Sequence, residues 1–407
     1  MMPTLFLFDD ATGRSFHPFS LTRPIGELLF GAFLLRERAE VFWSRPCGGH
    51  LSGKNLAGFR ENGAPGVVTL EALDSSQPRL LHSSRFAPTG PAPEIPNEPT
   101  TFLCHEEVVG LFLPPGVPNP GADALLDPAP MPDSNRIEME GLFFRAPWDL
   151  MARNGDQIRK DVPRFFPGYA AEELPGCHIL GPGLLSLGRN VGVEPGSVFD
   201  LRKGPIRLSD GVFVRAHTRM EGPAYVGPGT TILGGCLSEF SVGPICKIRG
   251  EVERSVILGY TNKAHDGFLG HAYLGKWVNL GAFTTNSDLK NNYGPVRVGG
   301  ARGPRDTGLM KVGAFLGDHV KTGIGTLLNT GTVVGAGSNL FGGAMPPTYV
   351  PPFSWGSGFD LTEFRLDKFL EVARRAMERR DVLLDPEMED LFRRAWESSR
   401  EERIQAP

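Results

Sequence analysis

A stretch of this chain repeats every six residues, and very few architectures can be built from such a repeat. From Met310 onward, every sixth residue is Met310, Leu316, Thr322, Leu328, Val334 and Leu340, with glycine directly after three of them at Gly317, Gly323 and Gly335. Shorter runs keep the same spacing at Leu187, Val193 and Phe199, at Ile206, Val212 and Thr218, and in the pairs Val226/Ile232, Val242/Ile248 and Leu274/Leu280. A fixed period of six is the signature of the hexapeptide parallel β-helix. Each unit sends one aliphatic side chain into a narrow core, and a coil becomes stable only when stacked on others. A glycine-rich sandwich would instead show strands of alternating polarity about 8 to 12 residues apart. Of the 52 glycines, 34 fall between Gly176 and Gly343, where they permit turns that a Cβ would obstruct.

The flanks read differently. Residues 1 to about 170 open on a buried-strand run, Leu5 to Phe8, and contain helix-like stretches at Glu27 to Val41 and Trp148 to Lys160. A proline-rich span from Pro78 to Pro99 reads as an exposed loop or lid. After the repeat, Leu361, Phe364, Phe369, Val372, Ala373 and Met377 follow helical spacing, and Glu387 to Glu402 is charged and helical. The expected organisation is an α/β domain at 1–172, a left-handed parallel β-helix at 173–350, and a helical extension at 351–407 that caps the helix end or packs on a neighbouring subunit. A length of 407 residues suits two or three domains. With 42 basic and 46 acidic residues, the net charge of −4 leaves no electrostatic footprint for nucleic acid or an anionic membrane. Five cysteines with no Cys-x-x-Cys pair argue against a zinc ribbon or a disulfide framework, and the start lacks the basic segment of a secretory leader. A cytoplasmic protein is the expectation.

The regularity breaks at Lys263-Ala264-His265-Asp266-Gly267-Phe268-Leu269-Gly270-His271-Ala272-Tyr273-Leu274-Gly275, followed by Asn279-Leu280-Gly281-Ala282. This run resembles the acetyltransferase half of the bifunctional UDP-N-acetylglucosamine pyrophosphorylase/glucosamine-1-phosphate N-acetyltransferases, whose pattern is Lys-Ala-Gly-His, two residues, Tyr-Leu-Gly, then Asn-x-Gly-Ala. With the family's catalytic histidine on His265, Phe268 falls on the tyrosine, Asn279 on the asparagine and Gly281-Ala282 on Gly-Ala without a gap. His271 stands in its own Gly-His-x-Tyr-Leu-Gly setting but needs a one-residue deletion. His265 is therefore the favoured base and His271 the alternative. N-acetylating an amino sugar requires a free amine, and histidine suits a base working near neutral pH.

The resemblance implies further roles. Asn292-Tyr293 falls on an Asn-Tyr pair that contacts the amino sugar, Arg249 on a phosphate-side arginine, and Ala282 on a position against the pantetheine of acetyl-CoA. Lys263, Lys290 and Lys311 are further candidates for phosphate. Family members are trimers with clefts between subunits, so a homotrimer acting on an amino-sugar 1-phosphate is expected.

At the other end, Leu21-Thr22-Arg23-Pro24 and Ala146-Pro147-Trp148-Asp149-Leu150 resemble a bacterial subgroup of sugar nucleotidyltransferases. The Gly-x-Gly-Thr-Arg phosphate loop of the wider family is missing. The resemblance implies nucleotidyl transfer from UTP or another nucleoside triphosphate, with Arg23 on phosphate and Asp9 or Asp10 near Mg²⁺. The alternative is a first domain that binds a nucleotide sugar without catalysing.

Overall fold

A computed structural model describes residues 2–166 and 174–404, so the boundary expected at 172/173 lies outside the described residues. Two compact units emerge: Met1–Leu28, Phe33–Pro147 and Asp385–Ala395 form the first, and Leu29–Ala32, Trp148–Leu384 and Trp396–Pro407 the second. No helix among the described residues is long and apolar enough to cross a membrane.

In the first unit a six-stranded sheet runs in the order Cys47–Leu51, Thr4–Phe8, Arg79–Ser83, Glu107–Leu113, Thr100–Cys104, Asn135–Glu138. The first three strands are parallel, and Glu107–Leu113 is antiparallel to both of its neighbours. Alternate residues of the opening strand feed opposite faces: Leu5 and Leu7 pack in one cluster with Trp43 and Phe102, and Phe8 in another with Leu81 and Leu111. The proline-rich span departs from the loop expectation in its first part, because Arg79–Ser83 is a fully buried strand and Phe86–Pro88 a second one.

The helix expected from Glu27 instead begins at Leu35 and ends at Trp43. Two local features stop it from starting earlier. Gly31 takes a left-handed φ of 68°, and Glu27 is a buried anchor that accepts from Arg36 Nε at 2.6 Å and pairs with His50 Nε2 at 2.9 Å. Burial works against the Glu27 carboxylate, but the bonds and charges of His50 and Arg36 outweigh it and hold its pKa below the ordinary range.

The second unit is a solenoid of about ten turns of left-handed β-helix type. Its rungs stack in parallel register. On one face Leu274 sits over Leu316, Val334 and Val350, and on the next Leu280 over Thr322 and Leu340. The six-residue series is buried from Leu316 onward, whereas Met310 is 54% exposed and stands outside the core, in the long connection before the Phe315–Leu316 strand. At the corners the coils approach closely: a Cβ on Gly243 would lie 2.1 Å from Leu258 O, and one on Gly281 2.5 Å from Gly323 C. Another corner carries Tyr260, Trp277, His319 and Phe353, all at positive φ. Tyr260 stacks on Trp277 at 4.3 Å and Trp277 on His319 at 6.0 Å.

After the repeat, Leu361 is in a strand, Asp360–Glu363, hairpinned with Ser354–Ser357, and Phe364 follows it, so neither is helical as expected. The Leu366–Glu378 helix then packs Phe369 edge-on against Phe353 at 5.0 Å. The Pro386–Ser398 helix corrects the capping expectation for most of its length, since residues 385–395 belong to the first unit. There Arg60 N–H donates to Met388 Sδ at 3.2 Å, and Arg394 Nε to Asn55 O at 3.3 Å.

One core position carries a charged side chain. Lys263 pairs in register with Ile248 on an inward-facing site and is 2% exposed. Its ammonium donates to Arg249 O at 2.7 Å, Gly267 O at 2.8 Å and His265 O at 3.2 Å. Burial pushes its pKa from 10.5 down to about 8.

Two stability predictions arise from this core. Leu274→Ala should cost about 2–5 kcal/mol in denaturant unfolding, because a buried rung position would be left partly empty, whereas Met310→Ala should stay within about 0.5 kcal/mol. For Lys263, folding favours the neutral amine, so between about pH 8 and 10.5 the unfolded chain holds the extra proton and stability rises with pH. Lys263→Met should abolish that rise in melting temperature; an identical pH profile in the variant would refute the assignment.

Candidate functional site

His265 lies at a corner of the β-helix, in the turn between the Asn262–Lys263 and Phe268–Gly270 strands. Its side chain is exposed, and the backbone beside it is tied on three sides. Lys263 holds the His265 and Gly267 carbonyls from within the core. Arg249 Nε donates to Asp266 Oδ1 at 3.1 Å from the coil before, and Phe283 N–H donates to Asp266 O at 2.8 Å from the coil after. Four expected residues, Arg249, Lys263, His265 and Ala282, thus gather at one corner on adjacent coils, with Phe268 on the strand that leaves it. The part expected of Lys263 needs correction: all three of its protons face backbone carbonyls, so it fixes the turn and has no donor to offer a phosphate.

His271 sits six positions on, at a different corner, 5% exposed and at a positive φ of 47°. Its Nδ1 meets Asp288 Oδ2 at 2.7 Å. Burial disfavours the Asp288 carboxylate, but the His271 hydrogen bond and the His271 and Lys311 charges outweigh it and keep its pKa lowered. His271 opens on a cavity of about 430 Å³ lined also by Arg159, Arg254, Lys311, Glu239 and Met151. Much of the positive charge there is already matched: Arg254 Nε lies 2.7 Å from Glu239 Oε2, and Arg159 Nη1 2.7 Å from Asp156 Oδ1. The Asp288 partnership was missed in the sequence, although a signal existed. Residues 271 and 288 are about one coil apart, and such residues stack on adjacent coils.

Of the remaining expected residues Lys311 lines the His271 cavity, and the others do not converge on either histidine. Asn279 faces outward beside Asn262, accepting from its Nδ2 at 2.9 Å, on a face of the β-helix where it lines a separate cavity. Asn292 and Tyr293 stand on the connection after Asp288, with Tyr293 67% exposed. Lys290, on the same connection, donates to Pro295 O at 2.6 Å, and Lys311 lies 3.9 Å from both Glu253 and Asp288.

In the first unit, Asp9 and Asp10 follow the C-terminal end of the Thr4–Phe8 strand, where ligands of parallel sheets commonly bind. Asp10 is already committed: Oδ1 caps a short helix by accepting from Gly13 N at 2.7 Å and also takes Arg85 Nε at 2.7 Å, while Oδ2 pairs with Arg85 Nη2. Asp9 Oδ2 accepts from Ser52 and from Ile25 N, whereas Asp9 Oδ1 is buried without a hydrogen bond. Of the two aspartates expected near Mg²⁺, Asp10 has both oxygens engaged and Asp9 keeps one without a hydrogen bond; no cluster of three metal-ligating side chains exists among the described residues. Arg23 is 2% exposed and forms a bidentate pair with Glu61 at 2.9 and 3.2 Å. A phosphate approaching these nitrogens would compete with Glu61 for them.

The model of a family described as sugar nucleotidyl transferase matches residues 5–168. A bifunctional sugar-1-phosphate nucleotidylyltransferase/acetyltransferase of Sulfurisphaera tokodaii is 34% identical over 96 residues, 23% of this chain and 24% of that protein. A bifunctional protein GlmU of Ralstonia pickettii is 25% identical over 226 residues, 48% of this chain and 46% of the relative. The chain therefore spans about half the length, or less, of the curated relatives it matches. Among solved structures, a UDP-N-acetylglucosamine acyltransferase from Campylobacter jejuni aligns with 54% of this chain and 93% of its own at 13% identity and a TM-score of 0.29. The Sulfurisphaera tokodaii relative is a transferase by name. Residues 5–168 match the sugar nucleotidyl transferase family, and stretches covering 23% and 48% of the chain are similar to a bifunctional sugar-1-phosphate nucleotidylyltransferase/acetyltransferase and to a bifunctional protein GlmU.

Proposed function

We propose that the β-helix unit is an acetyl-CoA-dependent N-acetyltransferase acting on an amino-sugar 1-phosphate, glucosamine 1-phosphate first among them, with His265 as general base. The observation that carries this reading is the Lys263 bolt. Burying an ammonium in an aliphatic core is costly unless its protons are matched, and here all of them fix the backbone around one exposed histidine. A turn held that firmly where the repeat breaks is suited to presenting a base at a defined position. In the reaction the sugar nitrogen attacks the thioester carbonyl, a C–N bond forms as C–S breaks, His265 takes the proton from nitrogen, and the coenzyme A thiolate leaves. Exposed Phe283, Ile324 and Leu327, on coils beside His265, would be covered in the homotrimer that the resemblance implies.

A second reading places the base on His271, favoured by its Asp288 partner. A carboxylate on Nδ1 orients the imidazole and leaves Nε2 to work, and Nε2 would serve the 430 Å³ cavity. For residues 5–168 we propose uridylyl transfer to the acetylated sugar phosphate, giving UDP-N-acetylglucosamine or a related nucleotide sugar for the cell envelope in a cytoplasmic setting. The engaged state of Arg23, Asp10 and Arg85 favours the alternative, a nucleotide-sugar-binding unit without turnover.

Thiol release from acetyl-CoA with glucosamine 1-phosphate separates the histidines. His265→Ala should lower kcat/KM by about 10²–10⁴-fold, the range a general base supplies, while His271→Ala and Asp288→Asn retain most activity. The reverse pattern would transfer the role to the His271–Asp288 pair, and no release by wild type would end the acetyltransferase reading. Pyrophosphate release from UTP and N-acetylglucosamine 1-phosphate tests the first unit; saturable UTP binding without release would mark it as a binding domain.

A further inference from the structure

A second cavity in the β-helix unit, of about 360 Å³, lies between one face of the coils and the Leu366–Glu378 helix. Its floor is an outward-facing column in parallel register, Lys247 over Asn262, Asn279 and Lys321. With rungs about 4.8 Å apart, the two lysines stand about 14 Å from each other with an amide pair between them. Its roof is one face of the helix: Val372, Arg375, Ala376 and Arg379 recur at spacings of three and four, and Arg380 follows just past the end. Tyr260 and the Trp277 on which it stacks complete the wall.

The charge balance here is unlike the rest of the molecule. Five cations line the space and no aspartate or glutamate does, in a chain whose net charge is −4. Arg375 shares Glu371 at 2.6 Å, but Lys247, Lys321, Arg379 and Arg380 have no carboxylate within ion-pair distance among the described residues. Cations near a helix C-terminus answer the helix macrodipole. That accounts for the arginines, and it leaves the two lysines facing them from the β-helix without an explanation. Lys321 is also drawn inward: its ammonium donates to Trp277 O, and burial pushes its pKa down to about 7. Like charges held together in a partly dry space repel, and an anion seated among them relieves the repulsion.

We propose that this cavity binds a small phosphorylated ligand, its phosphate groups held between the Lys247–Lys321 column and the Arg375/Arg379/Arg380 face. Asparagine amides between the lysines supply neutral hydrogen bonds, and the volume suits a diphosphate with part of an organic group attached. Two sources share this chemistry: the phosphates of coenzyme A, and a free nucleoside triphosphate acting as an effector. The inference goes beyond the acetyltransferase reading and does not need it, because what is read is binding.

The test is calorimetry on the full chain with coenzyme A, ATP and inorganic pyrophosphate as probes. At least one should bind saturably, with affinity falling as salt rises. Arg379→Gln/Arg380→Gln should weaken it about tenfold or more, as loss of charge-assisted bonds to phosphate predicts. Lys247→Gln provides a second variant from the opposite wall should the first fail to fold, and Arg393→Gln, outside the cavity, should leave binding unchanged. Coenzyme A binding that ATP displaces would assign the site to the co-substrate; ATP binding alongside coenzyme A would assign it to an effector. Failure of every probe to bind, or equal affinities in wild type and both cavity variants, would overturn the proposal. His265→Ala and His271→Ala should bind as wild type does, and a wild type that binds a probe here yet releases no thiol from acetyl-CoA would count against the function proposed above and leave this site standing.

Discussion

Everything in the second unit depends on how closely one coil can lie on the next. Parallel main-chain hydrogen bonds set the rise, and they form only where the corners admit no extra atom. Gly243 and Gly281 mark that limit, since any β-carbon there would collide with the neighbouring coil's backbone. Once the rise is set, positions about one coil apart become neighbours whatever their chemistry. The aliphatic core, the stacked Tyr260–Trp277–His319 column and the Asn262–Asn279 pair are products of the same stacking.

Stacking also explains what could be read in the sequence. Inward positions repeat every six residues and are mostly aliphatic, so Leu316, Val334 and Leu340 announce the core directly. Met310 has the right spacing and is nonetheless exposed, because a period has no memory of where a loop enters. Lys263 escaped the pattern for the opposite reason: a lysine at a core position reads as solvated until the three carbonyls around its ammonium are seen. The missed helix start after Glu27 has a local cause. An apolar run with helical spacing was cut by Gly31, whose backbone bonds go to residues far along the chain.

The candidate sites were legible to different depths. Separate motif matches single out His265, Arg249 and Ala282, and the three lie at one corner on adjacent coils. They could not disclose the His271–Asp288 pair, which is a contact between coils and carries no motif. In the first unit the charged residues were found but their partners were not. Asp9 or Asp10 is the expected neighbour of a metal, but Arg85 and a helix cap occupy Asp10 while Asp9 keeps an oxygen without a hydrogen bond, and Arg23 pairs with Glu61. Charged groups at the end of a buried strand need counter-ions to fold at all, so residue type alone cannot separate a binding cation from a structural one.

The short segment Leu29–Ala32 gives the chain an order of events. Gly31 N–H donates to Asn154 Oδ1 at 2.9 Å, Gly31 O accepts from Ser241 Oγ at 2.7 Å, and Leu29 O accepts from Tyr273 at 2.9 Å. These partners lie 123, 210 and 244 residues downstream. During synthesis from the N-terminus, the segment emerges long before the coils that receive it. The first unit must therefore hold a gap open in its own chain until translation has passed Tyr273, and closure of so long a loop makes this one of the late steps of folding.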